Sequence, residues 1–181
     1  LNKVTNLIPQ KIFIMIKLFS IVLILLSINS FASDHVIKYS SAKNLLTFNG
    51  NIISGNTDYI EIEKMLGNAN RINYRNYFTD YFYDSIGIMF SVKKENAKVA
   101  EISFSFNDDE NMKIVNYSNF DFYIDESKVT LDFTMKNLML IESFKFECLF
   151  PPFCASTEEK KLKFIIDFVD EKGPIHQIGV T

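Results

Sequence analysis

The residue with the clearest potential for catalysis is a histidine close to the C-terminus. His176 is one of two histidines in the chain, and an imidazole acts as a general base when an acidic residue orients it. The sequence contains no Gly-x-Ser-x-Gly nucleophile elbow, the motif that positions the catalytic serine in one large class of hydrolases. We therefore assign no catalytic residue. A small periplasmic hydrolase that uses His176 with an acidic partner stays open as the alternative function.

Two cysteines lie close together in the second half of the chain. Cys148 and Cys154 are its only cysteines, and the segment reads Cys-Leu-Phe-Pro-Pro-Phe-Cys. In an exported protein such a pair is most simply a disulfide bond. The spacing differs from the Cys-x-x-Cys of redox enzymes, and a zinc site would need two more ligands, which are not nearby in sequence. The sequence thus predicts a disulfide, no metal site and no cofactor.

The loop between the cysteines is a candidate binding surface. Leu149, Phe150 and Phe153 are its apolar residues, and Pro151-Pro152 stiffens it. A stiff loop loses little conformational entropy on binding, so these three side chains would form a preorganised surface for a protein partner. The other interpretation is a clamped connection between strands whose aromatic rings fold back onto the core.

A second candidate surface lies in an unusually aromatic segment. Residues 74–83 read Tyr-Arg-Asn-Tyr-Phe-Thr-Asp-Tyr-Phe-Tyr. Exposed rings bind single-stranded nucleic acids by stacking, and they also form sugar-binding platforms, although the chain has no tryptophan. Alternate rings of a strand must also face inward to fill the core. We treat Tyr77, Tyr81 and Tyr83 as the candidate binding residues of this segment.

Composition and charge narrow the class of partner. The chain has 181 residues, which suits one domain, and a formal net charge of −3. Residues 1–32 contain three lysines and no acidic residue, so residues 33–181 carry 16 basic and 22 acidic side chains, a net charge of −6. A nucleic-acid-binding domain normally needs a basic surface. The charge balance therefore argues against nucleic acid as the partner.

The N-terminal segment predicts export from the cytoplasm. Residues 18–28 are almost entirely apolar, Lys17 precedes them, and small residues lead up to Ala32. This pattern is typical of a secretory signal peptide over residues 1–32, cleaved near Ala32, with Met15 as a natural start. A helix that crosses the membrane needs about 20 apolar residues, so we expect cleavage rather than retention as an anchor. The expected location is the bacterial periplasm or the exterior, with no membrane anchor after cleavage.

Local signals predict the first elements of the exported domain. Asn49-Gly50 between two short apolar segments predicts a hairpin with a type I′ turn, which needs positive φ at both central positions. Asp58, followed by Glu61 three residues later, predicts a helix start with a capping box. Gly67 predicts the end of that helix in a left-handed cap.

The remainder of the exported domain consists mainly of predicted strands. Ile102, Phe104 and Phe106 alternate with polar residues, which is typical of a half-buried strand, and short connections favour antiparallel pairing. The predicted strands are residues 77–83, 86–92, 99–106, 120–124, 129–133, 144–150, 162–169 and 175–180, and residues 135–141 are a short helix or a further strand. The predicted fold class is α+β, a single domain over residues 33–181. It consists of an antiparallel β-sheet with one or two short helices packed on one face, and an internal pseudo-repeat is left open.

Two motifs in the first half resemble a known group of proteins. Residues 62–67 read Ile-Glu-Lys-Met-Leu-Gly, and residues 83–88 read Tyr-Asp-Ser-Ile-Gly-Ile. Over residues 45–106 the chain resembles a family of small exported bacterial proteins of unknown function, with a Leu-Gly-Lys-Pro helix end and a Tyr-(Trp or Tyr)-Asp-x-Leu-Gly-Ile strand turn. This chain has Asn68-Ala69 instead of Lys-Pro, and Ile86 instead of Leu. Both motifs are structural, so the resemblance implies a fold and assigns no catalytic residue.

The function we expect from the sequence is protein binding without catalysis. The predicted layout is similar to small envelope modules such as the BamE-like and β-lactamase-inhibitor-like folds, whose members bind proteins, and this likeness is at the level of fold alone. We therefore expect an inhibitor, an immunity-type protein or an assembly factor whose partner is a protein of the bacterial envelope. The sequence leaves its oligomeric state open.

Overall fold

A computed structural model of the chain describes residues 35–106, 120–143, 145–157 and 162–181. All of them belong to one compact unit, Ser33–Thr181. The predicted signal peptide, residues 1–32, lies outside the described residues. Within the described ranges, no helix is both long enough and apolar enough to cross a membrane.

The described part of the chain is mostly β-structure, with thirteen strands and two short helices. The strands are β1 (His35–Ser40), β2 (Leu45–Phe48), β3 (Asn51–Ile53), β4 (Arg71–Tyr74), β5 (Phe78–Tyr83), β6 (Ile88–Lys93), β7 (Val99–Ser105), β8 (Phe120–Ile124), β9 (Ser127–Val129), β10 (Phe146–Phe150), β11 (Phe153–Ser156), β12 (Phe164–Phe168) and β13 (Ile175–Val180). The helices are α1 (Tyr59–Leu66) and α2 (Met135–Leu138).

The strands form two sheets, where the sequence analysis predicted one. A five-stranded sheet has the order β3-β2-β1-β8-β9, and an eight-stranded sheet has the order β10-β11-β12-β13-β7-β6-β5-β4. The predicted antiparallel pairing is confirmed for most strands; the exception among the described pairs is β1 with β8, which run parallel. Strands β1, β4 and β11 were not predicted, and β9 covers residues 127–129 rather than 129–133.

The same order of elements occurs twice along the chain. The β2–β3 hairpin is followed by α1 and the four-stranded meander β4–β7, and the β8–β9 hairpin is followed by α2 and the meander β10–β13. The two meanders join through the antiparallel pair β7–β13 at the centre of the eight-stranded sheet. Strands β4–β5 and β10–β11 therefore occupy equivalent ends of that sheet.

The hydrophobic core contains side chains from both sheets. Tyr39 of β1 contacts Phe164 of β12 with ring centroids 4.7 Å apart, and Phe104 of β7 contacts Phe122 of β8 at 4.9 Å. Side chains alternate between the two faces of a strand. Burial of each such side chain contributes about 1.5–3 kcal/mol to folding. One face of the eight-stranded sheet points toward this core, and we call the opposite face its outer face.

The first hairpin and the end of α1 agree with the sequence signals. Asn49 has φ 47° and Gly50 has φ 80°, as the predicted type I′ turn requires. Helix α1 stops before Gly67, which has φ 77° and donates its N–H to the Glu63 carbonyl at 2.8 Å. With ψ at −162°, however, Gly67 is not in the left-handed helical conformation that was predicted.

The predicted capping box at the start of α1 is wrong. Asp58 is the N-cap residue, but its side chain makes no capping hydrogen bond. Its carboxylate instead forms an ion pair with Lys98 at 2.8 Å. Asp58 also forms a backbone bridge with Lys98, and a contact of this kind between segments far apart in the chain has no signal in the local sequence pattern.

Candidate functional site

The disulfide predicted from sequence is present and closes the β10–β11 hairpin. The Cys148 and Cys154 sulfurs are 1.96 Å apart. Cys154 is buried, and its register partner on the neighbouring strand is the fully buried Ile166. The bond therefore attaches the hairpin to the core side of the sheet.

The aromatic side chains of this hairpin are exposed. Phe150 is 79% exposed and Phe153 is 51% exposed, so they do not fold back onto the core. The side chain of Leu149 lies outside the described residues. Ile165 on β12 is also 53% exposed. We call Phe150, Phe153 and Ile165 the hairpin patch.

Strand alternation explains why Ile165 joins the patch. In β12, Phe164, Ile166 and Phe168 are buried in the core. Ile165 and Asp167 lie between them in the sequence, so their side chains point to the outer face.

Two cavities meet at the hairpin patch. One of about 370 Å³ is lined by Glu147, Phe150, Phe153, Cys154, Ala155, Ser156, Thr157 and Ile165. The other, of about 130 Å³, is lined by Glu101, Ser103, Phe153, Ile165, Asp167, Gln177 and Gly179. Phe153 and Ile165 line both, so the cavities adjoin and together form a groove on the outer face.

The charged residues of this groove are acidic. Among its described lining residues, Glu101, Asp167 and Glu147 are charged, and none is lysine or arginine. The groove thus combines an apolar centre with carboxylates at both ends.

His176 lies beside the groove and is paired with an acidic residue. Its Nδ1 is 3.1 Å from Oδ2 of Asp167, on the neighbouring strand β12. The other oxygen, Asp167 Oδ1, is buried and has no hydrogen-bond partner among the described residues. This is the acidic partner that a hydrolase would require. Within the described ranges, however, no hydroxyl group is hydrogen-bonded to His176.

The aromatic segment at the other end of the sheet does not form one exposed surface. Tyr77 is 78% exposed, whereas Tyr83 is only 3% exposed and donates a hydrogen bond from its hydroxyl to the Gly67 carbonyl at 3.1 Å. Tyr81 is half-buried and stacks on Tyr59 of α1, with ring centroids 3.6 Å apart. Tyr83 is therefore removed from the candidate binding surface, because its ring belongs to the core.

Burial also changes the acidity of these tyrosines. Desolvation is the main cause that raises the pKa of Tyr59, Tyr81 and Tyr83 above the ordinary value. The hydrogen bond between the Tyr59 and Tyr83 hydroxyls, 3.3 Å long, further raises the pKa of Tyr59. The Tyr59–Tyr83 hydrogen bond and the stacking of Tyr81 on Tyr59 both connect α1 to β5.

Arginine ion pairs, which the sequence analysis did not anticipate, lie at this same end. Arg71 binds both carboxylate oxygens of Asp84 at 2.7 Å, and Arg75 binds the buried Asp80 at 2.6 Å. Charge-assisted pairs of this kind are geometrically specific. These pairs engage Arg71 and Arg75 with carboxylates of the same chain, while Tyr74 and Tyr77 at this end are exposed.

The sequence analysis did not single out three residues of the groove. Ile165 and Asp167 could have been found as the outward positions of an alternating strand. The place of Glu101 in the groove could not, because it depends on the β12-β13-β7 strand order. No cluster of three or more side chains suited to a metal ion occurs in the part of the chain that is described.

The fold and groove define a mostly β protein of two sheets with a shared core and a candidate binding surface. A family model described as a domain of unknown function (DUF7738) matches residues 37–139. The chain belongs to this family, and the motifs in residues 45–106 lie within the match. The disulfide hairpin lies beyond it. Comparisons with curated proteins and with solved structures found no match.

Proposed function

We propose that this chain is a non-enzymatic protein-binding module of the bacterial envelope, acting as an inhibitor, an immunity-type protein or an assembly factor. The observation that carries the proposal is the hairpin patch. Its three residues line one cavity, and a disulfide holds the hairpin that supplies two of them. Exposed apolar groups that lie together are typical of interaction sites, whereas scattered ones are ordinary.

The disulfide gives the patch a second property that favours binding. The loop from Cys148 to Cys154 is closed by a covalent bond. Less conformational freedom then remains to be lost when Phe150 and Phe153 contact a partner. Aromatic anchors in preorganised positions supply much of the energy in protein interfaces.

Cross-linking tests this proposal. The double variant Phe150→Ser/Phe153→Ser should lose an envelope protein that cross-links to the unaltered chain in the periplasm. Leu140→Ser is the matched control, because Leu140 is 69% exposed and lies outside the groove. Recovery of the same partner in the same amount with the double variant would refute the role of the patch.

The proposal includes export through the signal peptide predicted over residues 1–32. Intact-mass measurement of the protein from the periplasm or the culture medium should give a mature N-terminus at Ser33. A mature N-terminus upstream of Ser33 would contradict cleavage near Ala32.

A second candidate function is hydrolysis by His176 with Asp167. The 3.1 Å contact between the two side chains is the observation that favours it. If the chain hydrolyses an ester, amide or phosphate substrate, His176→Ala and Asp167→Asn should each reduce the rate strongly, by about a hundredfold or more. Unchanged hydrolysis in His176→Ala excludes this mechanism.

A further inference from the structure

The residues that line the groove at the hairpin patch indicate the chemistry of a molecule that could bind there. Its apolar centre is Phe153 and Ile165, which line both cavities. Glu147 on β10 lies at one end and Glu101 on β7 at the other, while Asp167 lies beside Phe153, its register partner. An occupant that fits must offer apolar groups in the middle and positive charge at its ends.

Gly179 lines the Glu101 end of the groove and places no side chain there. A Cβ at this position would be in ordinary van der Waals contact with Oε1 of Glu101 at 3.5 Å and with the carbonyl oxygen of Ile165 at 3.7 Å. Glu101 also accepts a hydrogen bond from Ser103 Oγ at 3.4 Å, so its carboxylate is oriented on the outer face.

A second carboxylate lines the small cavity. Asp167 binds His176 through Oδ2, while Oδ1 is buried and has no hydrogen-bond partner among the described residues. A lysine or arginine side chain in the 130 Å³ cavity would be attracted by the negative charges of Glu101 and Asp167.

The size of the groove favours an extended segment. It crosses the neighbouring strands β10, β11, β12, β13 and β7. Four strand-to-strand spacings amount to about 19 Å, which an extended chain of about six residues spans. In such a segment one side chain occupies the small cavity, while residues two and four positions away, which share its face, contact the hairpin patch.

We propose that the groove binds an extended segment of a partner protein in which lysine or arginine residues flank apolar ones. This inference rests on the proposed function, since it specifies what the hairpin patch binds. Charge complementarity is the argument for the occupant: the charged residues described in the groove lining are all acidic. Complementary charges contribute specificity and faster association in protein interfaces.

Binding of two labelled peptides to the purified protein tests the inference. One is the heptapeptide Lys-Ala-Leu-Ala-Leu-Ala-Lys, whose lysines and leucines share one face of an extended chain, and the other has glutamate in place of both lysines. Fluorescence polarisation should show binding of the lysine peptide and no binding of the glutamate peptide. The affinity for the lysine peptide should fall as salt increases, because salt screens attraction between exposed charges.

Charge-neutralising variants locate the contact. Glu101→Gln/Asp167→Asn should weaken binding of the lysine peptide by about tenfold or more. Glu95→Gln/Glu126→Gln is the matched control. Both residues are exposed and lie outside the groove, and the two substitutions remove the same amount of negative charge. Glu101→Gln alone should also weaken binding, which guards against misfolding of the double variant.

Four results would overturn the inference. They are equal binding of the two peptides, equal loss in the control double variant, no loss in Phe150→Ser/Phe153→Ser, and no binding of the lysine peptide at about 1 mM. The proposed function is judged separately. A cross-linked partner that depends on Phe150 and Phe153 but not on Glu101 or Asp167 supports the proposed function and refutes this inference.

Discussion

The two ends of the eight-stranded sheet occupy equivalent places in a repeated order of elements, yet they use aromatic residues differently. At the β4–β5 end, Tyr81 stacks on Tyr59 of α1 and Tyr83 is buried. At the β10–β11 end, Phe150 and Phe153 are exposed and a disulfide holds their strands together. At the β4–β5 end the rings of Tyr81 and Tyr83 pack within the fold while Tyr74 and Tyr77 are exposed, whereas at the β10–β11 end both phenylalanine rings are exposed.

This difference shows that aromatic density alone does not identify a binding surface. The tyrosine-rich segment is the more prominent of the two in the sequence. The rings of Tyr81 and Tyr83 are nevertheless needed where α1, a helix of eight residues, packs against β5. An isolated helix of that length is unstable in water, so it depends on such contacts. The covalent bond at the other end holds its strands together without recruiting Phe150 or Phe153.

The largest expected effect is a difference in the free energy of unfolding between variants at the two ends of the sheet. Tyr83→Ala should lower the free energy of unfolding by about 3 kcal/mol, because it removes a buried ring from the core. Phe150→Ala should change it by about 0.5 kcal/mol or less, since the ring is exposed. Urea unfolding of both variants measures the difference. Similar losses in the two would show that the ends do not differ as described.

Removal of the disulfide should have the next largest effect. Cys148→Ser/Cys154→Ser should lower the free energy of unfolding by roughly 2 kcal/mol, because the open loop gains conformational entropy in the unfolded state. Urea unfolding of the unaltered protein with and without reductant provides the comparison. An unchanged midpoint in the double variant would mean that the bond does not stabilise the hairpin.

A smaller effect is expected from the tyrosine hydroxyl alone. Tyr83→Phe removes the hydrogen bond to the Gly67 carbonyl and should cost about 1 kcal/mol. Tyr77→Phe is the control, because the Tyr77 ring is exposed. If Tyr83→Phe unfolds at the same urea concentration as the unaltered protein, the hydroxyl contributes nothing to holding α1.

The last prediction concerns alkaline pH. The pKa values of Tyr59, Tyr81 and Tyr83 are raised, chiefly by burial. Their contribution to stability is therefore complete below the unfolded-state pKa of about 10 and is lost as the pH rises above it. Tyr59→Phe should make this alkaline decline shallower when unfolding is followed from pH 9 to 11. An equally steep decline in the variant would contradict the assignment.

The parts of the fold that could be predicted depend on neighbours in the chain. The Asn49-Gly50 turn, the end of α1 before Gly67 and the Cys148–Cys154 bond all follow from local chemistry. The division into two sheets does not follow from local chemistry. It depends on strand pairing, such as that of Ile102 with Val180, between segments that are far apart in the chain and carry no signal of it alone.

The residues of the candidate site also fall into those that the local sequence indicated and those that it did not. Phe150 and Phe153 were identified because a disulfide loop limits where their rings can lie. Tyr83 was misassigned because alternation says that two faces exist but not which one is buried. Glu101 was missed because only the strand order brings β7 next to β13 and so into the lining of the groove.

Site-specific photo-cross-linking tests the central claim most directly. Benzoylphenylalanine would replace Phe150 in one protein and Tyr77 in another, because both rings are exposed and they lie at opposite ends of the sheet. After irradiation of cells that export the protein, we expect an adduct with an envelope protein from position 150 and none from position 77. Adducts from position 77 alone, or equally from both, would contradict the assignment of the hairpin patch as the binding surface.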